Sequence, residues 1–201
     1  LNKYYQNVSS EDLKDRDIND LFGAAISHWR LGCNRAPKEV KIAVFNPTLE
    51  HHGWQTPHTV IQIVISDMPF LIDTIKMQID KLGYSLHYLI NLAGIKITRD
   101  ATGDIANIDQ KNSGSSKEEF LAFEISHQNE DEVITHLTES IAEVLNDVVM
   151  CVEDWGKMKQ CMEKSIADIS NLTTGFEQKE VSETISFLQW MLEYFTFVGV
   201  R

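Results

Sequence analysis

Cysteine is scarce in this 201-residue chain. Its three residues, Cys33, Cys151 and Cys161, are odd in number, widely spaced and contain no CxxC pair. That argues against a disulfide framework and a structural zinc site, and it fits a reducing, cytoplasmic location. Positive charge is equally thin, with 18 Lys and Arg set against 30 Asp and Glu for a formal net charge of −12. A nucleic-acid partner needs clustered cations along a phosphate track, so none is expected, and the acidity is assigned to solubility. No apolar run approaches the roughly 20 residues of a membrane span, and no signal peptide opens the chain, so no membrane partner is expected either. Opening at Leu1 rather than Met suggests an excised or processed piece.

Glycine-rich and catalytic motifs are missing as well. No GxGxxG follows a strand, and no GxxxxGK[ST], GxSxG or HExxH is present. His51, His52 and His58 lie close together, but adjacent histidines on an extended segment point to opposite sides and no carboxylate or thiol stands at ligand spacing. No catalytic, cofactor-binding or metal-binding residue is therefore assigned. Trp54, in the same connection, is expected to pin it onto a sheet.

What is present begins with Thr59 to Tyr84, the stretch around which the chain is organised. Ile61, Ile63 and Ile65 fall on one strand face and Val60 and Val64 on the other, interrupted only by Gln62. This is the pattern of a central strand covered on both sides. Ser66 or Asp67 is placed to cap a following helix, with Pro69 in its first turn. Leu71, Ile75, Ile79 and Leu82 form its buried stripe and Gly83 ends it.

Upstream, Ser9 resembles a helix start, and Ile18, Leu21, Phe22, Ala25, Ile26 and Trp29 define one face of a helix ending near Gly32. Val40 to Phe45 reads as a strand closed by Asn46-Pro47. Downstream, a long strand runs from Leu86 towards Arg99, with Leu86, Tyr88, Ile90 and Leu92 on one face. The parity changes to Ile95 and Ile97, which predicts a bulge or sharp bend near Ala93-Gly94. Ile105 and Ile108 extend a hairpin, 112–117 (NSGSSK) reads as a mobile loop, and Leu121, Phe123 and Ile125 mark another strand.

From about Glu130 the period is helical. Ile134, Ile141, Val148, Trp155, Met162 and Ile169 recur every seven residues, giving one long helix or two collinear ones broken near Gly156. Its partner is the stripe Val181, Ile185, Leu188 and Leu192, with a coiled-coil dimer as the alternative. The end, Phe195 to Arg201, reads as the first strand of a further unit. The expected division is a helical segment at 1–36, an α+β domain at 37–150 and a helical extension at 151–201.

A strand, Asp67-Met68-Pro69-Phe70-Leu71-Ile72, a helix and a long strand together resemble the start of an ACT domain, a βαββαβ regulatory module. Further residues sharpen the likeness: Tyr4-Tyr5, Ala24-Ala25 to His28-Trp29, Val44-Phe45-Asn46-Pro47-Thr48-Leu49-Glu50, His52-Gly53-Trp54-Gln55-Thr56-Pro57-His58 and Phe187-Leu188-Gln189-Trp190. Together they resemble the N-terminal region of the very large bacterial NAD-specific glutamate dehydrogenases. The resemblance implies an ACT-like, ferredoxin-like antiparallel sheet with helices on one face, plus an N-terminal helix and a C-terminal helical hairpin. It also implies a non-catalytic regulatory or assembly piece of an enzyme converting L-glutamate, NAD and water to 2-oxoglutarate, NADH and ammonium, with NAD bound elsewhere in the full-length enzyme.

The implied partners are other domains or subunits of that enzyme, and an amino-acid effector at Asp67, Met68, Pro69, Phe70 and Leu71. A purely structural module without a ligand is the alternative. At the turn, Phe70 stands where the family has glycine, and glycine allows a closer backbone approach than phenylalanine. Because the sequence stays helical where an ACT fold needs its fourth strand, Val40 to Phe45 is expected to take that edge position.

Overall fold

The computed structural model describes residues 2–108, 116–171 and 175–195. The chain forms two compact units, Leu1–Leu145 and Asn146–Arg201.

In the first unit, β1 (Lys41–Phe45), β2 (Thr59–Ser66), β3 (Leu86–Arg99), β4 (Ile105–Ile108) and β5 (Ser116–Ile125) form one antiparallel sheet in the order β1-β2-β5-β3-β4. β1 lies beside β2 with Lys41 opposite Val64 and Phe45 opposite Val60, so the upstream strand does occupy the edge position expected of it. β5 is central, and Ser116 and Lys117, read from sequence as loop, are its first residues. The rest of that predicted loop, 112–115, lies outside the described residues.

α4 (Leu71–Lys81) connects β2 to β3 and buries Leu71, Ile75 and Ile79. Those side chains, with Leu137, Ile141 and Leu145 of α5 (Asp131–Ser170), supply the apolar cover for the sheet face carrying Ile61, Ile63, Ile65, Leu121, Phe123 and Ile125. All are fully or almost fully buried, as the sequence alternation requires. The opposite face carries Val64, Tyr88, Ile90, Leu92, Phe120 and Ala122, clustered with Tyr4, Tyr5 and Leu21 from the N-terminal segment. That segment contains α1 (Ser10–Lys14), capped by Ser9, and α2 (Ile18–Gly32), capped by Asp17. Between β1 and β2, α3 (Leu49–His52), capped by Thr48, puts His51 and His52 on a helical turn rather than on the extended segment expected from sequence.

Side-chain direction on α2 departs from the apolar periodicity. Ile18 and Phe22 are exposed, whereas Leu21, His28 and Gly32 are buried. The helix is rotated by its polar anchors. Tyr4 donates its hydroxyl proton to His28 Nδ1 at 2.7 Å, and His28 Nε2 donates to the Ile63 carbonyl at 3.0 Å. Burial pushes this imidazole down to about 4, so it is neutral. Gln62, the polar residue in the middle of β2, takes a hydrogen bond from Ser27 and donates to the Ala24 carbonyl.

The bulge on β3 falls between Leu92 and Ile95, with Gly94 at φ +70. It turns both parities of the strand to one face, so Tyr88, Ile90, Leu92, Ile95 and Ile97 share a single core. A second irregularity between Leu86 and Tyr88 was not anticipated. It places Leu86 opposite Ile125, on the other face from Tyr88, because directly paired residues project the same way.

In the second unit, α5 continues unbroken through Gly156 to Ser170, and α6 (Gln178–Tyr194) follows. The predicted stripe Val181, Ile185, Leu188 and Leu192 is half-buried. Ile169, Phe176 and Val181 line a common hollow, as a helical hairpin requires. The strand expected at Phe195 to Arg201 lies, from residue 196 on, outside the described residues. Among the described residues no helix is long and apolar enough to cross a membrane.

Trp54 is only 2% exposed and packs edge-on against Phe45, so the loop is pinned as expected. It also lies directly beneath Gly23 of α2, where an added Cβ would overlap Trp54 Cβ and sit 2.7 Å from its Cγ. Ordinarily Gly→Ala inside a helix stabilises by about 1 kcal/mol. Here Gly23→Ala should instead destabilise by about 1–3 kcal/mol, the usual penalty for overpacking, as measured by urea unfolding.

Candidate functional site

The turn between β2 and α4 is built differently from the capped start expected. α4 begins at Leu71, and its N-cap is Phe70 in the left-handed region, φ +75 and ψ −4, with no side-chain cap. Ser66 Oγ instead receives a hydrogen bond from Arg35 at 2.7 Å, and Pro69 precedes the helix rather than lying in its first turn. The first amides of α4 therefore have neither an intrahelical partner nor a capping oxygen.

The five residues singled out from sequence are placed unequally. Asp67 is half-buried, its N–H donates to the Lys117 carbonyl at 3.0 Å, and its Oδ2 faces the β3 bulge, 3.7 Å from where a Gly94 Cβ would sit. Met68 is half-buried and Leu71 is in the core. Pro69 and Phe70 point outward, Phe70 being 48% exposed. The phenylalanine thus keeps a backbone geometry suited to glycine and turns its ring to the surface.

Sequence reading missed Glu119. It has the parity of Leu121, Phe123 and Ile125, and a carboxylate continuing an apolar strand face was the available signal. Glu119 sits opposite Ile65, is 4% exposed, and has no cation paired with it among the described residues. Burial, and then the charge of Asp67, push its carboxyl up to about 7.

Its neighbour Glu118 has the opposite surroundings. It is fully buried on the other face, where Arg35 and Arg99 clamp it at 3.1 and 2.8 Å. Burial alone would raise its carboxyl, but the Arg99 hydrogen bond and both guanidinium charges hold it below the usual carboxylate range. Arg99 also donates to the Gly32 and Cys33 carbonyls, closing the C-terminus of α2. Glu118 is thus ion-paired on one face of the sheet, while Glu119 on the other feels the like charge of Asp67.

The histidines are used locally. His52 Nδ1 accepts from the Thr48 N–H and its ring stacks on Phe45, while His58 Nδ1 is 2.9 Å from Glu124. Among the described residues no group of three or more His, Cys, Asp or Glu is placed to hold a metal ion. NAD does not fit the β2–α4 turn: Asp67, Pro69 and Phe70 stand where a pyrophosphate needs glycines and an uncharged approach.

A split βαββα sheet with this crossover turn, completed at its edge by an upstream strand, is the architecture of an ACT-type domain. Residues 1–141 match the family described as glutamate dehydrogenase, ACT1 domain, and the chain belongs to that family. It is 31% identical over 201 residues to the NAD-specific glutamate dehydrogenase of Halomonas elongata and 30% identical to that of Pseudomonas aeruginosa. Each alignment covers 98% of this chain, which spans only 12% of the length of either relative.

Two outcomes follow from the turn. Replacing Phe70 by glycine relieves left-handed strain of about 1–2 kcal/mol, partly offset by glycine's freedom in the unfolded chain, about 0.5–1 kcal/mol. Phe70→Gly should therefore stabilise by up to about 1 kcal/mol in urea unfolding. Glu119 holds its proton more tightly folded (about 7) than at its ordinary 4.5. Its contribution is present below pH 4.5 and lost as pH rises through 7. Relative to the parent, Glu119→Gln should gain stability across that window, reaching the order of 2–3 kcal/mol at pH 8.

Proposed function

We propose that this chain is a non-catalytic regulatory and assembly domain at the N-terminal end of an NAD-dependent glutamate dehydrogenase, converting L-glutamate, NAD and water to 2-oxoglutarate, NADH and ammonium. The observation that carries this reading is the family match over residues 1–141 combined with relatives roughly eightfold longer, as a 12% share implies. Catalysis and NAD binding are assigned to the rest of such an enzyme, whose other domains or subunits are the partners of this one.

Within that role, Asp67, Met68, Pro69, Phe70 and Leu71 form an amino-acid effector site. The uncapped amides of α4 suit a carboxylate, and the pair Asp67 and Glu119 suits an ammonium group. A cation seated there would draw Glu119 towards its ionised form, so ligand binding would release a proton near neutrality. The outward ring of Phe70 favours a second reading, in which the turn is a contact surface and no small molecule binds.

Thermal-shift titration of the chain with individual amino acids separates the two. Sensing predicts a saturable rise in Tm with at least one amino acid that disappears in Asp67→Ala; no rise with any of them leaves the contact surface. Deleting the segment from the full-length enzyme is the test of both. Unchanged glutamate kinetics, effector response and assembly would falsify the regulatory and the architectural role together.

A further inference from the structure

α6 carries more apolar surface than a two-helix hairpin covers. Val181, Ile185, Leu188 and Leu192 form its half-buried seam. On nearly the opposite side, at 3.6 residues per turn, Phe187, Trp190 and Tyr194 form a second row and are 56%, 46% and 67% exposed. Their rings pack on one another, with centroids 6.0 Å apart for Phe187 and Trp190 and 5.9 Å for Trp190 and Tyr194. Continuing that row towards the N-terminus at the same alternating spacing reaches Glu183 and then Glu180, both exposed. These five residues repeat as the a and d positions of a helical seam do.

Single exposed apolar side chains are ordinary, but a row of packed aromatics on one helix face is not. None of the described residues beyond Val148 is buried, so the second unit has little apolar burial of its own to hold its helices. Helices are held mainly by packing an apolar face, and one with two apolar seams is ordinarily covered on both. The cover must also answer the acidic end of the row. Glu180 has no cation paired with it among the described residues, and Glu183 meets Lys179 of its own helix at 3.8 Å. A second copy of α6 fits badly. Paired in parallel it sets carboxylate against carboxylate, and paired antiparallel it sets carboxylates against the negative faces of the rings. A helix bearing Arg or Lys beside apolar residues meets both halves at once.

We infer that this face of α6 is the docking surface for an amphipathic helix from another part of the same enzyme. Its apolar residues lie against Phe187, Trp190 and Tyr194, and its Arg or Lys side chains against Glu180 and Glu183. The inference rests on the reading of this chain as one domain of a much longer glutamate dehydrogenase. Alignment over 98% of the chain takes in α6, and the relatives are roughly eightfold longer, as a 12% share implies, so the polypeptide to supply such a helix is available. The surface lies outside residues 1–141, which carry the family match.

Photo-crosslinking in the purified full-length enzyme tests it. A benzophenone amino acid in place of Tyr194 should capture a segment of the enzyme's own sequence outside these 201 residues, as identified by mass spectrometry. That segment should carry Arg or Lys about three helical turns away, the separation of Tyr194 from Glu183. The same probe in place of Gln189, which lies off the aromatic row, should not capture it. Trp190→Ala, and separately Glu180→Lys combined with Glu183→Lys, should each lower the yield from the Tyr194 probe by roughly fivefold or more. All three positions are exposed, so these variants should fold as the parent does. No crosslink, capture of residues 1–201 of a second copy, a captured segment without cations, or a yield unchanged in either variant overturns the inference. Glutamate-dependent NAD reduction by the same preparation checks the underlying reading separately. Activity without a crosslink overturns the docking surface alone, whereas a crosslink without activity overturns the enzyme assignment and leaves the contact standing.

Discussion

Two carboxylates on the central strand have to be neutralised before the second face of the sheet can be covered. Glu118 and Glu124 project from β5 towards α2, and an unpaired charge buried there would be penalised by several kcal/mol. Each is met by cations from outside the sheet's core strands or from its rim. Arg35 and Arg99 close on Glu118 just beyond the C-terminus of α2, and Arg16, with His58, closes on Glu124 just before its N-terminus. The two clusters bracket the helix, and between them His28 fixes its rotation through Tyr4 and Ile63. Such pairs add little net stability over an apolar alternative. Their effect is positional, because any other placement of α2 leaves a carboxylate uncompensated.

The same strand shows the contrary case one residue away. Glu118 and Glu119 are neighbours in sequence, yet alternation sends them to opposite faces, one onto two arginines and the other towards Asp67. The first is held ionised and the second stays protonated until near neutrality. A fold that neutralises two buried carboxylates with arginines but leaves the third beside another acid concentrates its unspent electrostatic energy at the β2–α4 turn. The left-handed backbone at Phe70 adds conformational strain at the same place. Strain and like charge thus coincide at that turn.

Much of the architecture was open to inspection in the sequence. The two-sided burial of β2 follows from an apolar run on both parities, the bulge at Gly94 from a parity change, and the edge position of β1 from the missing fourth strand. The orientation of α2 was not, since its apolar face predicted Ile18 and Phe22 as buried and both are exposed. Hydrophobic periodicity reports one helix's own stripe, whereas the helix obeyed polar contacts to residues 35 positions away, such as His28 to Ile63. The turn was legible as a motif, but its partner Glu119 was not, because more than 50 residues separate it from Asp67.

Local pattern was enough to find most strands and the long helices, the central place of Thr59 to Tyr84, and the family resemblance. These rest on local period, turn chemistry and motif, all of which act over a few residues. Which carboxylates find arginines, which way α2 is rotated, that Phe70 turns outward, and that Trp54 and Tyr88 keep buried polar atoms without a partner among the described residues were settled by packing. Those outcomes depend on distances between residues far apart in the chain, and burial there magnifies every charge and every missing hydrogen bond.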